Sequence, residues 1–177
     1  MKNTLIIITT IFIFLILYFL QVNFFNWFTI AGISPNLFVI LVLFLGLFAG
    51  KRVGVPMGIF LGILLDLFAS KKIGISAIML GIVGIIAGVL DKNFSKDSRM
   101  TIILMTILST AIYEVGGYIL NYIIVSTNIE ILLFIKILLI ESIYNAILTV
   151  ILYPLLQKAG YYIEEAFRGK QILTRYY

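Results

Sequence analysis

Long apolar runs alternate with short polar interruptions along the chain, and the spacing of the interruptions predicts six helices of membrane-spanning length. The first run covers residues 4–20 behind Lys2. Gln21-Val22-Asn23-Phe24-Phe25 follows without a small-residue cleavage pattern, so the run reads as a retained span rather than a removed signal. Asn23, Asn26 and Trp27 then form a polar, aromatic stretch suited to a headgroup interface. Ser34-Pro35-Asn36 reads as a cap followed by proline at the first helical position, opening a second span over about 35–50. Lys51-Arg52 separates it from a third span, 53–69, with Pro56 still in its first turns, and the two predict a tight hairpin. Lys71-Lys72 precedes a fourth span at 73–90, and the polar run 91–99 is a loop. Span five covers about 100–125 and span six about 131–153, where Pro154 is expected to end the helix. Residues 157–177 mix Lys158, Arg168, Lys170 and Arg175 with Tyr161, Tyr162 and Phe167, as an interfacial amphipathic helix does.

The expected architecture is therefore an all-α integral membrane protein, a six-helix transmembrane bundle over 1–156 with an amphipathic tail over 157–177. Composition agrees: 62% of the 177 residues are hydrophobic and 12% charged, a balance no water-soluble fold can bury. The net charge of +5 comes from short basic clusters between apolar runs, which points to anionic lipid at the cytoplasmic face and not to nucleic acid. Counting lysine and arginine around six spans places ten on one side (Lys2, Lys51, Arg52, Lys92, Lys96, Arg99, Lys158, Arg168, Lys170 and Arg175) and only Lys71 and Lys72 on the other. The positive-inside bias puts both termini in the cytoplasm. Lys136 lies inside span six, within snorkelling reach of the interface. The Lys71-Lys72 pair on the sparse side leaves room for a re-entrant arrangement of spans three and four.

Two patterns stand out within the spans. Gly54, Gly58 and Gly62 repeat every four residues on one face of span three, and span four carries Gly74, Ala77, Gly81, Gly84 and Gly88 at spacings of three and four. Such faces let two backbones meet, either within the molecule or with a partner helix. Spans five and six should pack antiparallel, so residues whose numbers sum to about 255 share a depth. Glu114 then faces Glu141, Thr110 faces Asn145 and Thr106 faces Thr149. Carboxyl groups at mid-bilayer are costly, by about 2.5–3.5 kcal/mol each on insertion scales, and face protein or water. The stripe reads either as a polar, proton-linked pocket or as hydrogen bonds that join two helices, each worth about 0.6 kcal/mol. Asp66 is a third acidic candidate, near the Lys71 end of span three. Cysteine and histidine are absent, and no nucleophile–base pair, phosphate loop or metal cluster is present, so the chain offers no catalytic constellation, cofactor site or metal site.

The order of these motifs resembles one family. Ser34-Pro35-Asn36-Leu37, then Gly54 and the run Gly58-Ile59-Phe60-Leu61-Gly62-Ile63-Leu64-Leu65-Asp66-Leu67, then Gly74, and finally Tyr144-Asn145-Ala146-Ile147-Leu148 with Tyr153-Pro154-Leu155-Leu156 look like the signature of the bacterial rod shape-determining protein MreD family. Pro35, Gly58, Gly62, Asp66, Asn145 and Pro154 match its positions. The resemblance implies a non-enzymatic scaffold in the bacterial cytoplasmic membrane. Its partners would be an MreC-like single-span protein, the MreB filament and the wall-elongation enzymes of peptidoglycan synthesis. It also implies a fold similar to the substrate-binding subunits of energy-coupling-factor transporters. That leaves an alternative, a vitamin-like small-molecule binding subunit of a transporter, although span one lacks the small-residue coupling motif of such subunits.

Overall fold

A computed structural model describes residues 12, 14–69, 74–93, 98–125 and 130–168, and within these the chain is all-helical. Lys2, the Lys71-Lys72 pair, Lys96, the 126–129 turn and the end of the tail, including Lys170 and Arg175, lie outside the described residues. Six helices follow one another: α1 (14–27), α2 (Leu37–Ala49), α3 (Lys51–Ala69), α4 (Ile75–Asn93), α5 (Arg99–Val125) and α6 (Ile131–Arg168).

The stretches Arg99–Ile124 and Ile131–Tyr162 are long and apolar enough to cross a membrane, and only 28% and 22% of their most apolar windows are buried. A helix that is apolar yet turns most of its surface outward suits lipid, since the core helix of a soluble protein hides that surface. The rows Leu139, Ile143, Ile147 and Ile151 on α6, and Leu104, Leu108, Val115 and Ile119 on α5, are exposed.

α2 has the opposite character. Eleven of its thirteen residues are buried, and Phe38, Val39, Val42, Leu43, Leu47 and Phe48 are sealed within the core. α3, α4, α5 and α6 all pack against it, and α1 reaches it through Phe14, whose ring lies 5.3 Å from that of Phe38. At thirteen residues α2 is about 20 Å long, short of the roughly 30 Å bilayer core. A full crossing over 35–50 was expected. The segment between α1 and α2 is instead held against the middle of α6: the Tyr144 hydroxyl donates to the Phe28 carbonyl (2.7 Å), and the Asn36 amide donates to Asn145. Asn145 is the fifteenth residue of α6, about 21 Å from its start. The segment contains a two-residue turn in which Ile30 and Ile33 exchange backbone hydrogen bonds around Ala31 (φ 53°) and Gly32 (φ 81°), the positive-φ pair of a tight hairpin turn.

Three other boundaries differ from expectation. α1 runs past Leu20 to Trp27 through a π-helical turn, Leu20–Phe24, in which Asn23 bonds back to the Phe19 carbonyl (3.1 Å) and the Gln21 side chain accepts from Leu37 N–H (3.1 Å). The polar residues that suggested an end to the span thus find partners within the helix and on α2. The cap of α2 is Asn36, not Ser34: its side chain accepts from Val39 N–H (3.3 Å), so Pro35 precedes the helix. Pro154 does not end α6, which continues to Arg168. Proline removes one amide donor from the ladder, but contacts on both sides hold the helix through it. Arg99 sits 5.6 Å from the centre of the buried Tyr153 ring, and Gly160 lies directly on the Phe48 ring.

α3 and α4 form the closest pair in the fold. A Cβ built on Gly84 would stand 2.5 Å from the Gly54 carbonyl oxygen, one on Gly58 would strike the Leu80 carbonyl, and one on Gly62 would strike the Ala77 backbone. Gly88 meets Lys51 and Gly81 meets Ile59 in the same seam. These small-residue faces are consumed by each other and are not left open. At the turn into this pair, Gly50 takes φ 77°, which lets the chain reverse between α2 and α3 within one residue.

One end of the bundle gathers cations. Lys51 lies against Gly88 near the end of α4, Phe48 packs on Gly160 and Tyr161, and Arg99 lies over Tyr153. Lys51, Arg52, Arg99 and Lys158 therefore share that end.

Candidate functional site

The polar groups of the core lie where helices begin inside the protein. A helix N-terminus leaves its first amides without intrahelical acceptors, and burying them unpaired costs about 1–3 kcal/mol each. Two N-termini, those of α2 and α4, are satisfied by side chains from other helices.

At α4 the first position is Gly74, with φ 112° and no side-chain oxygen to cap its own helix. Asp66, from the last turns of α3 and fully buried, supplies the cap across the hairpin. Its Oδ2 accepts from Gly74 N–H (2.7 Å) and Ala77 N–H (3.3 Å), and its Oδ1 from Ser76 N–H (3.2 Å). A carboxylate here also faces the positive end of the helix dipole. Sequence reasoning singled out Asp66 as an acidic candidate near the Lys71 end of span three without naming these amides as its partners. The signal that could have revealed its role is the glycine eight residues on, a helix start with no cap of its own.

At α2 the supplier is Asn145 of α6, also fully buried. Its Oδ1 accepts from Asn36 N–H (2.8 Å) and its Nδ2 donates to Thr110 Oγ1 of α5 (2.9 Å), so one amide ties three helices together. One turn further along, the Thr106 hydroxyl donates to the Ile102 carbonyl (2.9 Å) and lies 3.3 Å from Thr149 Oγ1. One turn in the other direction, the register that pairs Thr106 with Thr149 and Thr110 with Asn145 sets Glu114 opposite Glu141, close enough for the two carboxyl groups to interact, with Asn36 nearby. The Tyr113 hydroxyl stands near the Ser76 and Asn36 side chains, bringing the start of α4 into the same cluster. Asn36, Ser76, Ser109, Tyr113 and Ser142 are members of this neighbourhood that the period-four stripe does not single out; Asn36 and Ser76 enter it only because two helices begin there.

Replacing Asn145 with alanine strands the Asn36 amide and the Thr110 hydroxyl together. It is expected to lower stability by about 2–3 kcal/mol, read as a fall in the thermal midpoint of the purified protein in detergent micelles. Thr149→Val removes only the 3.3 Å contact and should cost about 0.6 kcal/mol, the average for such bonds between membrane helices.

A separate groove of about 510 Å³ lies between α4 and α5, lined by Met79, Ile82, Ala111, Val115, Gly116 and neighbouring apolar side chains. Among the described residues no group of three acidic or other metal-ligating side chains is placed to hold a metal ion.

Comparison with known proteins gives one match. The family described as rod shape-determining protein MreD matches residues 1–160. No curated protein and no solved structure matches the chain.

Proposed function

The chain belongs to the MreD family of rod shape-determining proteins, and on that premise we propose that it is a non-enzymatic membrane scaffold of the cell-wall elongation machinery. Membership implies a role in rod-shape determination. The finer reading is that the protein links an MreC-like single-span protein and the MreB filament to the enzymes of peptidoglycan synthesis. The observation that carries it is the match across residues 1–160, which takes in all of α1 to α5 and most of α6.

The way the interior is used supports assembly over chemistry. The amide of Asn145, the carboxylate of Asp66 and the hydroxyl of Thr106 are all engaged in holding helices to one another. The glycine faces are filled by intramolecular contacts, so partner helices would meet the outward rows of α5 and α6 and the α4–α5 groove. The cation-rich end, with Lys51, Arg52, Arg99 and Lys158, would face the cytoplasm, where the inner leaflet's anionic lipid and the filament are found. Six spans with both termini inside complete the proposal.

The test is affinity purification of the tagged protein from its own membranes in mild detergent. An MreC-like single-span protein is expected in stoichiometric amounts. Its absence from a preparation that is otherwise intact would count against the scaffold reading.

A further inference from the structure

We propose that Glu114 and Glu141 form a proton-binding site, in which a single proton is held between the two carboxyl groups across the α5–α6 contact. The geometry begins with hydrogen-bond valence. The observed pairs Thr106–Thr149 and Thr110–Asn145 fix a register that sets Glu114 opposite Glu141, and since an ionised carboxylate is only an acceptor, two facing carboxyl groups form a hydrogen bond when one of them carries a proton. The second observation is an orphan. Glu141 is more than nine-tenths buried, and its Oε1 has no hydrogen-bond partner among the described residues. A buried oxygen left in this state as a full charge is among the costliest arrangements a protein interior can hold.

Among the described residues, no counter-charge is recorded beside the pair. The groups recorded as facing the pair are Tyr113 beside it on α5, which also neighbours Ser76 of α4, and Asn36 at the start of α2. None is a cation. The Ser109 hydroxyl, fully buried one helical turn from Tyr113 on α5, is also without a hydrogen-bond partner, so polar atoms around the pair are short of partners. The Asn36 side-chain oxygen already accepts from Val39 N–H and its backbone amide is committed to Asn145, which leaves its Nδ2 as the donor on that side of the pair. A proton is the ligand that fits this deficit, because it turns one acceptor into a donor and removes one of two like charges without needing room.

The experiment is infrared spectroscopy of the full-length protein in lipid or detergent at neutral pH, wild type against the near-isosteric Glu114→Gln/Glu141→Gln double variant. The expected result is a carboxylic-acid carbonyl band in the wild type, shifting in heavy water, that is lost in the double variant. A wild type without the band, or a folded double variant that keeps it unchanged, overturns the proposal. If the double variant does not fold, a hydrophobic carbodiimide applied to the wild type decides, since it reacts with the protonated acid. An adduct mapped to Glu114 or Glu141 supports the site, and modification of neither overturns it.

Discussion

Replacing Asp66 with alanine is expected to lower the stability of the purified protein by about 3–5 kcal/mol and to abolish its ability to support rod shape. Three amides at the start of α4 lose their acceptor at once, the part-buried Gly74 and the buried Ser76 and Ala77. Gly74 has no side-chain oxygen to supply a cap of its own. Asp66→Asn keeps one carbonyl oxygen as an acceptor but loses the second acceptor and the charge facing the helix dipole. It should cost about 1–2 kcal/mol and retain partial function. Chemical or thermal unfolding in detergent, paired with complementation in cells, reads both effects. Equal stability of wild type and Asp66→Ala would show that the cap across the hairpin contributes nothing.

The second large effect lies in the α3–α4 seam. Adding one methyl at Gly58 or Gly84 puts a carbon against backbone, the Leu80 carbonyl in one case and the Gly54 carbonyl in the other. Backbone cannot rotate away as a side chain can, so the helices must separate along the seam. Each alanine variant should lose about 3 kcal/mol or more, at the upper end of overpacking costs. Gly117→Ala is the internal control: no atom lies within 4 Å of the position its Cβ would take. It should be neutral or gain up to about 1 kcal/mol from better helix propensity. A common loss at all three positions would mean that glycine matters there for a reason other than close approach.

How much of this was legible in the sequence varies from helix to helix, for physical reasons. The facing of Thr106 with Thr149 and Thr110 with Asn145 could be read because a short turn between antiparallel helices ties depth to residue number. The glycine repeats could be read because small residues at four-residue spacing share one face. The roles of Asp66 and Asn145 could not, since each depends on where another helix begins: Gly74 lies eight residues from its cap and Asn36 lies 109 residues from its own. Pro154 misled because the cost of a missing amide bond is local, whereas the Tyr153–Arg99 and Gly160–Phe48 contacts that hold the helix straight through it are tertiary. The short length of α2 was hidden for a related reason. Its apolar run looks like any other span, and only the contacts of Phe28 and Asn36 with α6 show how deep it starts.

The tertiary arrangement also sharpens what a shape-determining membrane protein of this family offers its partners. The polar and small-residue motifs that define it in sequence point inward, to the α2 and α4 starts and the α3–α4 seam. What remains outside among the described residues is apolar surface, the outward rows of α5 and α6 together with exposed side chains of α1, α3 and α4 such as Trp27, Phe68 and Ile85, and one cation-rich end. Substitutions at the motif positions should therefore act through loss of the folded protein, and substitutions on the outward rows through loss of assembly.

The most direct measurement of the central claim is depletion of the protein in its own cells, followed by microscopy of cell width and length as the protein disappears. Membership of the rod shape-determining family predicts that rods widen and become round, and that wild-type protein restores them. Cells that keep a rod of unchanged width after the protein is gone would contradict it.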